Sequence, residues 1–142
     1  MLEFFLLTSF VVGLTVIIHY EFLYRLSTLL PKINLKHRFR IVIGVVGSLT
    51  AHAVEVWVFA FCYYYILQRG DWGNLSGEFN GSLYDCVYYS FTTFTTLGFG
   101  DIHPVGNIRF LTGIESLTGL VLITWTASFL YIEMQKYWED GH

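Results

Sequence analysis

The sequence contains little charge, two prolines and two cysteines. Asp, Glu, Lys and Arg make up 13% of its 142 residues, which is about half of the fraction found in soluble domains. Cys62 and Cys86 are too few for a disulfide framework and lack the spacing of metal ligands. The sequence has no glycine-rich phosphate loop, no nucleophile–base set and no basic pattern typical of nucleic-acid binding. These absences argue against a soluble enzyme and against a nucleic-acid-binding protein.

Hydrophobic residues make up 54% of the sequence, and 19% of all residues are aromatic. Three segments, residues 1–19, 41–67 and 107–134, are apolar over about the 20 residues that a helix needs to cross a bilayer. The first segment has neither the basic start nor the small-residue cleavage site of a signal peptide. The sequence therefore predicts an all-α, multi-pass integral membrane protein with three transmembrane helices.

The basic residues predict the orientation of these helices. Short cytoplasmic loops of membrane proteins carry an excess of Lys and Arg. We therefore expect residues 20–40 to form a cytoplasmic linker at the plasma (inner) membrane, with the N-terminus outside and residues 135–142 as a short cytoplasmic tail. Five of the eight Lys and Arg residues lie in this linker: Arg25, Lys32, Lys36, Arg38 and Arg40.

The linker itself is predicted to contain a short amphipathic helix. Apolar side chains recur at helical spacing from Phe22 to Leu30, and Pro31 would end the helix. Such a helix would lie on the membrane surface. It would either connect two transmembrane helices passively or act as a lever on the second one, and the sequence leaves both interpretations open.

Two shorter elements are predicted between the second and third apolar segments. Residues 68–81 are rich in Gly, Asn and Ser, which is typical of an external loop. A helix over residues 82–95 follows, with Ser82 and Asp85 as a capping box. A dozen helical residues cover about 18 Å, so this helix would enter only half of the membrane.

Residues 95–101 have the sequence Thr-Thr-Leu-Gly-Phe-Gly-Asp. Irregular backbone at membrane depth is tolerated only where it is buried in protein or lines a watery path. Gly98 and Gly100 permit left-handed backbone angles, and an alternation of right- and left-handed residues turns successive carbonyl oxygens to one side. Such a row of oxygens suits a monovalent cation that has lost its hydration shell.

This segment resembles the selectivity filter of the potassium channel pore-loop family, whose usual form is Thr-Val-Gly-Tyr-Gly-Asp. The resemblance extends over about residues 41–131, and the whole chain is similar to small bacterial channels with a two-helix pore, here with one additional N-terminal helix. It implies a re-entrant pore helix at residues 82–95, a filter at residues 96–101 and potassium-selective conduction. Because each chain offers one loop and four loops surround the ion in this family, it also implies a C4 homotetramer.

The resemblance assigns roles to individual residues. The carbonyl oxygens of four consecutive residues would bind K+, with Gly100 completing the filter: Thr96, Leu97, Gly98 and Phe99. Leu97 and Phe99 depart from the usual Val and Tyr, and Phe99 lacks the hydroxyl group that often braces the filter in this family. The predicted filter-support residues are Asp101 at the outer mouth together with Tyr88, Tyr89, Thr92 and Thr95.

Three ionisable residues within the apolar segments are candidates for gating or proton sensing. His52 and Glu55 lie three residues apart on one helix face, where they form either a proton-sensitive pair or a hydrogen-bonded packing pair. Glu115 is predicted to lie near the depth of the filter. It would be a brace or a gating switch that bonds to Thr92, to Thr93 or to His52.

Gly119 is the fourth candidate for gating. The resemblance implies an inner-helix hinge near this position, whereas glycine in a membrane helix also permits close packing. The first apolar segment contains no Lys or Arg, so a voltage sensor is not expected there. The short predicted tail leaves no room for a ligand-binding domain.

The expected function is therefore passive K+ conduction. K+ ions would occupy the filter without any organic cofactor, and the partners would be other copies of the chain and membrane lipids. Ligand control would need a separate regulatory protein. Two alternatives stay open: a non-selective monovalent cation channel, and a non-conducting regulatory subunit of another channel.

Overall fold

The computed structural model describes residues 1–139, which are mostly helical. Three helices are long and apolar enough to cross a membrane, as predicted. We number the elements in chain order. They are α1 (Leu2–Leu29), a 3-10 turn (Leu30–Lys32), α2 (His37–Arg69), β1 (Asn74–Gly77), α3 (Leu83–Phe94), β2 (Ile102–Val105) and α4 (Ile108–Glu139).

Helix α2 is antiparallel to both α1 and α4, which run in the same direction. At one end of the molecule, the Phe4 ring in α1 lies 5.5 Å from the ring of Trp72, which follows α2. At the opposite end, the guanidinium group of Arg40 lies 5.6 Å from the ring of Tyr137 in α4. The start of α1, the end of α2 and the start of α4 therefore share the end of the molecule that carries β1 and β2.

Helix α1 is longer than predicted, and the separate amphipathic helix predicted within residues 20–40 is wrong. The sequence has no Gly or Pro between Leu14 and Leu30 to interrupt the helix, so α1 continues to Leu29 and the chain turns at Pro31. Leu23 and Leu26 are buried and extend the stripe that packs against α2 and α4. The buried positions of α1 are Phe4, Thr8, Val11, Thr15, His19, Leu23 and Leu26.

The boundaries of two other helices differ from the prediction in smaller ways. Helix α2 begins before residue 41 and ends at Arg69, where Gly70 adopts a left-handed conformation (φ 73°) that caps the helix. Helix α4 continues to Glu139, so residues 135–139 of the predicted tail are helical. Residues 140–142 of that tail lie outside the described residues.

The segment between α2 and α4 contains α3 and a short pair of strands, one on each side of α3 in the chain. Helix α3 begins after Ser82, whose Oγ atom accepts a hydrogen bond from the backbone N–H of Asp85 over 3.1 Å. Strands β1 and β2 are antiparallel, with Leu75 opposite Pro104. This pairing brings the loop before α3 against the chain that follows residue 101, a contact that the sequence analysis did not predict.

Candidate functional site: the segment between α3 and β2

The backbone of residues 95–101 alternates between two conformations. Thr96, Gly98 and Gly100 have positive φ angles of 61°, 54° and 81°, whereas Leu97 and Phe99 between them stay outside the left-handed region. Thr96 is notable because residues other than glycine rarely adopt such an angle. The side chains of Leu97 and Phe99 are 64% and 67% exposed in the single chain. We call residues 96–101 the filter segment.

The C-terminal end of α3 holds the inner part of the filter segment through backbone hydrogen bonds. The N–H of Gly98 donates to the carbonyl of Thr92 over 3.0 Å, and the N–H of Thr96 donates to that of Thr93 over 3.0 Å. The Thr92 and Thr95 hydroxyl groups donate to carbonyl groups of α3 itself. Thr92 therefore contacts the filter segment through its main-chain carbonyl group. The hydroxyl groups of Thr92 and Thr95 bond within α3 and not to the filter segment.

The outer end of the filter segment is tied on two sides. The Tyr88 hydroxyl donates a hydrogen bond of 2.6 Å to the Asp101 carboxylate, and this bond raises the pKa of Tyr88 above its ordinary value. On the other side, the backbone N–H of Glu78 donates to the carbonyl of Asp101 over 2.8 Å. Gly77 has a φ of 102°, and a Cβ atom there would overlap this carbonyl, so the approach requires glycine.

Helix α4 lies behind α3 and is bonded to it. The hydroxyl groups of Tyr89 and Thr112 are 2.9 Å apart, and the Ser116 hydroxyl donates to the carbonyl of Thr93 over 3.1 Å. The hydrogen bond of the predicted support residue Tyr89 thus goes to α4. Residues of α3, the filter segment, β2 and α4 line a cavity of about 280 Å³, and this lining includes Thr92, Thr96, Gly98, Gly100, Thr112 and Ser116.

Glu115 is fully buried where α2, α3 and α4 meet. Its carboxylate accepts hydrogen bonds from the Ser90 hydroxyl and from the Tyr63 hydroxyl, the latter over 2.6 Å. The predicted bond to α3 exists, but the predicted partners Thr92, Thr93 and His52 are wrong. Sequence alone could place Glu115 at the right depth but could not fix which hydroxyl of α3 faces it, because that depends on the rotation of both helices.

Gly119 lies against the C-terminal end of α3. A Cβ atom at this position would overlap the carbonyl group of Phe94. Of the two interpretations that the sequence left open, this contact supports close packing. The glycine allows α4 to approach the end of the helix from which the filter segment begins.

His52 and Glu55 form the predicted pair and gain a partner from α1. The Nδ1 atom of His52 lies 2.8 Å from Glu55 Oε2, and the Nδ1 atom of His19 lies 2.7 Å from Glu55 Oε1. His19 was not among the residues predicted from the sequence, although it falls at helical spacing from Thr8 and Thr15 on the buried stripe of α1. Within residues 1–139, both cysteines are free thiols.

A comparison with known protein families shows where this geometry belongs. A family model described as "Ion channel" matches residues 51–136, which is more than half of the chain. The chain belongs to this ion-channel family. The match confirms the predicted kinship with pore-loop channels and, with the three apolar helices, makes the protein an integral membrane protein of the ion-conducting class. No curated protein matches the chain, and no solved structure matches it.

The matched region contains α3, the filter segment and most of α2 and α4. Helix α1 lies outside it. The ion-channel part of the chain is thus the part that positions the filter segment, while α1 packs against this part through its buried stripe.

Proposed function

We propose that this protein is a potassium-selective channel in which the filter segments of four identical chains surround a row of K+ ions. The observation that carries the proposal is the alternation of φ angles at Thr96, Gly98 and Gly100. Where residues with positive φ alternate with residues outside the left-handed region, successive carbonyl groups can turn toward one side of the chain. Rings of such carbonyl oxygens replace the hydration shell of K+ in selective filters.

The chemistry of the filter segment supports backbone rather than side-chain ligands. Leu97 and Phe99 have no side-chain oxygen, so at these positions the ligands for a cation are carbonyl oxygens. The carbonyl groups of Thr96, Leu97, Gly98 and Phe99 would form the ion sites, with Gly100 ending the filter. The C-terminal end of α3 points toward the start of this segment, and the partial negative charge of a helix C-terminus favours a cation nearby.

Four chains are needed because one segment supplies only one wall of a pore. In the single chain the filter segment is held by α3 and by the strand pair, while Leu97 and Phe99 are largely exposed on its other side. Neighbouring chains would cover these side chains in a C4 homotetramer. In that assembly α3 would be a re-entrant pore helix, and α4 would be the inner helix.

We further propose that the filter segment faces the outside of the inner membrane at its Asp101 end. The basic residues between α1 and α2 would then be cytoplasmic, in keeping with the positive-inside rule. The start of α1 lies at the same end of the molecule as Trp72, so the N-terminus would also be outside.

Ion flux into liposomes tests this function. Purified protein is reconstituted, and flux is measured with a K+ gradient, then with a Na+ gradient, and again with Ba2+ as a blocker. Flux driven by K+ and stopped by Ba2+ is the expected result. Equal flux with both ions would contradict selectivity, and no flux from folded tetramers at neutral and acidic pH would contradict conduction.

A matched pair of substitutions assigns the flux to the filter segment. Gly98 and Gly70 have similar φ angles of 54° and 73°, and a Cβ atom at either would meet open space in the described chain. A β-branched residue strains both backbones alike. Gly98→Val should abolish K+ flux. Gly70→Val should still conduct, with K+ over Na+ selectivity equal to that of the parent. Subunit number is measured separately by the mass of the purified oligomer, expected to be four chains.

A further inference from the structure

The conduction pathway does not account for one cluster of side chains, which consists of His19, His52 and Glu55. We call it the His–Glu cluster. It joins α1 to α2, with the side chains of His19 and Glu55 fully buried and that of His52 16% exposed. Both Nδ1 atoms point at the same carboxylate, over 2.7 Å and 2.8 Å. Each residue offers one atom that could bind a metal ion, and these three atoms lie within 4.8 Å of one another.

Thr126 in α4 lies near the Nε2 atoms of the two histidine rings, which face away from Glu55. Its Oγ1 atom lies 2.9 Å from Nε2 of His52 and 3.4 Å from Nε2 of His19. Other buried threonines, such as Thr8 and Thr15, donate to the carbonyl group four residues earlier in their own helix. Within residues 1–139, the hydrogen bonds of Thr126 go to the two histidines instead.

We propose that the His–Glu cluster binds a divalent transition-metal ion of the zinc class. The Nδ1 atoms of His19 and His52 and one carboxylate oxygen of Glu55 would be the three protein ligands. Two histidines and one carboxylate are a common ligand set for zinc, with a fourth position left for water. This inference goes beyond the proposed channel function and does not depend on it.

The hydrogen bonds of Thr126 favour this assignment. A histidine that binds a metal through one ring nitrogen usually donates its other N–H to an oxygen atom. With the metal on both Nδ1 atoms, both Nε2 atoms carry hydrogen and can donate to the two lone pairs of Thr126 Oγ1. Without a metal or an extra proton, the two Nδ1–H groups donate to Glu55. The single Thr126 hydrogen must then serve two Nε2 acceptors, so one acceptor is left unpaired.

Metal binding requires the side chains to rearrange. The present distances of 2.7 Å and 2.8 Å are those of hydrogen bonds to the two different oxygens of Glu55, and the three ligand atoms lie within 4.8 Å of one another. A tetrahedral zinc ion with bonds of about 2.0–2.1 Å holds its ligand atoms about 3.3 Å apart, so the farthest pair would approach by up to about 1.5 Å. The two neutral rings change tautomer when the metal binds: each Nδ1 atom gives up its hydrogen to the metal site and each Nε2 atom gains one, so no net proton is released. His52 and Thr126 also line an open apolar cavity of about 420 Å³, so the cluster is not sealed.

A metal ion at this position would fasten α1 to the channel part of the chain. His19 is supplied by α1, whereas His52, Glu55 and Thr126 lie within the region that matches the ion-channel family. The ion would thus link α1 directly to α2 and, through Thr126, to the inner helix α4. This makes the cluster a site at which metal availability could stabilise one arrangement of the helices.

Metal binding is tested with the full-length, tag-free protein in detergent after treatment with a chelator. Zn2+ is added, excess is removed on a desalting column, and bound zinc is measured by mass spectrometry. Co2+ is used in parallel because its visible absorption reports tetrahedral coordination. We expect about one Zn2+ per chain and a tetrahedral Co2+ spectrum. Neither readout requires the protein to conduct ions, so a failed flux experiment would not affect this result.

Substitutions locate the site. His19→Gln should abolish stoichiometric binding, and Thr126→Val should weaken it about 10- to 100-fold, as loss of a residue that orients a metal ligand usually does. His103→Gln, which changes an exposed histidine in β2, is the matched control and should bind as the parent does. If His19→Gln fails to fold, X-ray absorption of zinc in the parent decides, with two imidazole ligands expected.

Two results would overturn the proposal. The first is a folded parent protein that retains no zinc. This result would mean that a bound proton, without a metal ion, holds the side chains of the His–Glu cluster together. The second is zinc that persists after His19→Gln or disappears after His103→Gln, which would place the ion elsewhere.

Discussion

The Tyr88 hydroxyl donates a 2.6 Å hydrogen bond to the carboxylate of Asp101, thirteen residues later in the chain. This bond joins α3 to the outer end of the filter segment. Phe99, which stands where potassium channels usually have Tyr, has no hydroxyl group with which to brace the filter. The Tyr88–Asp101 bond provides a brace at a different position.

Removal of this brace should make conduction less persistent. In Tyr88→Phe the carboxylate of Asp101 loses its side-chain donor, while the bond from Glu78 to the Asp101 carbonyl is kept. We expect K+ currents that decline faster during sustained activity than those of the parent, with oligomer assembly unchanged. Recordings from single channels in bilayers measure this decline. Tyr84→Phe, which alters an exposed tyrosine at the start of the same helix, is the control, and equal decline in both variants would contradict the role of Tyr88.

Loss of the Glu115 carboxylate should destabilise the fold. In Glu115→Leu the buried hydroxyl group of Tyr63 loses its short hydrogen bond to this acceptor, whereas that of Ser90 can still donate to the carbonyl group of Val56, and an unsatisfied buried group costs about 1–3 kcal/mol. Glu115→Gln keeps an acceptor oxygen and should lose less. Thermal unfolding in detergent is the measurement, with Thr124→Ala on the exposed face of α4 as the control. A Glu115→Leu variant as stable as this control would show that the buried network contributes little.

Gly119 and Gly113 should respond differently to the same substitution. A Cβ atom at Gly119 overlaps the carbonyl group of Phe94, whereas one at Gly113 meets open space in the part of the chain that the structure describes. Gly119→Ala should therefore displace α4 from α3 and lower the unfolding temperature. Gly113→Ala should keep or slightly raise it, because alanine is the better helix former by about 1 kcal/mol. Equal loss in both variants would count against close packing at Gly119.

The contact between Gly77 and Asp101 should be sensitive to any side chain. Gly77→Ala adds steric overlap with the Asp101 carbonyl to the strain of a positive φ angle. Gly81→Ala in the same loop has the strain alone, about 1–3 kcal/mol, because its Cβ atom would meet open space among the described residues. We expect Gly77→Ala to reduce K+ over Na+ selectivity in flux measurements and Gly81→Ala to preserve it. Unchanged selectivity in both would mean that the strand pair does not support the filter segment.

The sequence predicted the elements whose signals are local. The long apolar runs of α2 and α4 and the Ser82 cap of α3 were all visible in the chain. It did not predict the pairing of β1 with β2, because two four-residue strands carry little signal and meet only through the fold. The end of α1 was misplaced because polar residues after His19 suggested a surface segment, although Leu23 and Leu26 continue the buried stripe.

The candidate site shows the same division. The positions of Gly98, Gly100 and Asp101 relative to one another follow from the sequence, because they lie within one short segment. The partners of Glu115 and the second partner of Glu55 do not follow, because Ser90 and His19 belong to other helices. Their contacts depend on how each helix is rotated about its axis, which hydrophobic spacing fixes only roughly.

The position of His19 on α1 bears on how the protein is made. The ribosome synthesises α1 before α2, so a histidine partner is already in the membrane when Glu55 enters it. A carboxylate in hydrocarbon is costly without a partner, and His52 alone satisfies only one of its oxygens in this arrangement. The first helix would thereby assist insertion of the second, and a chain shortened to the two-helix pore would have to insert Glu55 without that assistance.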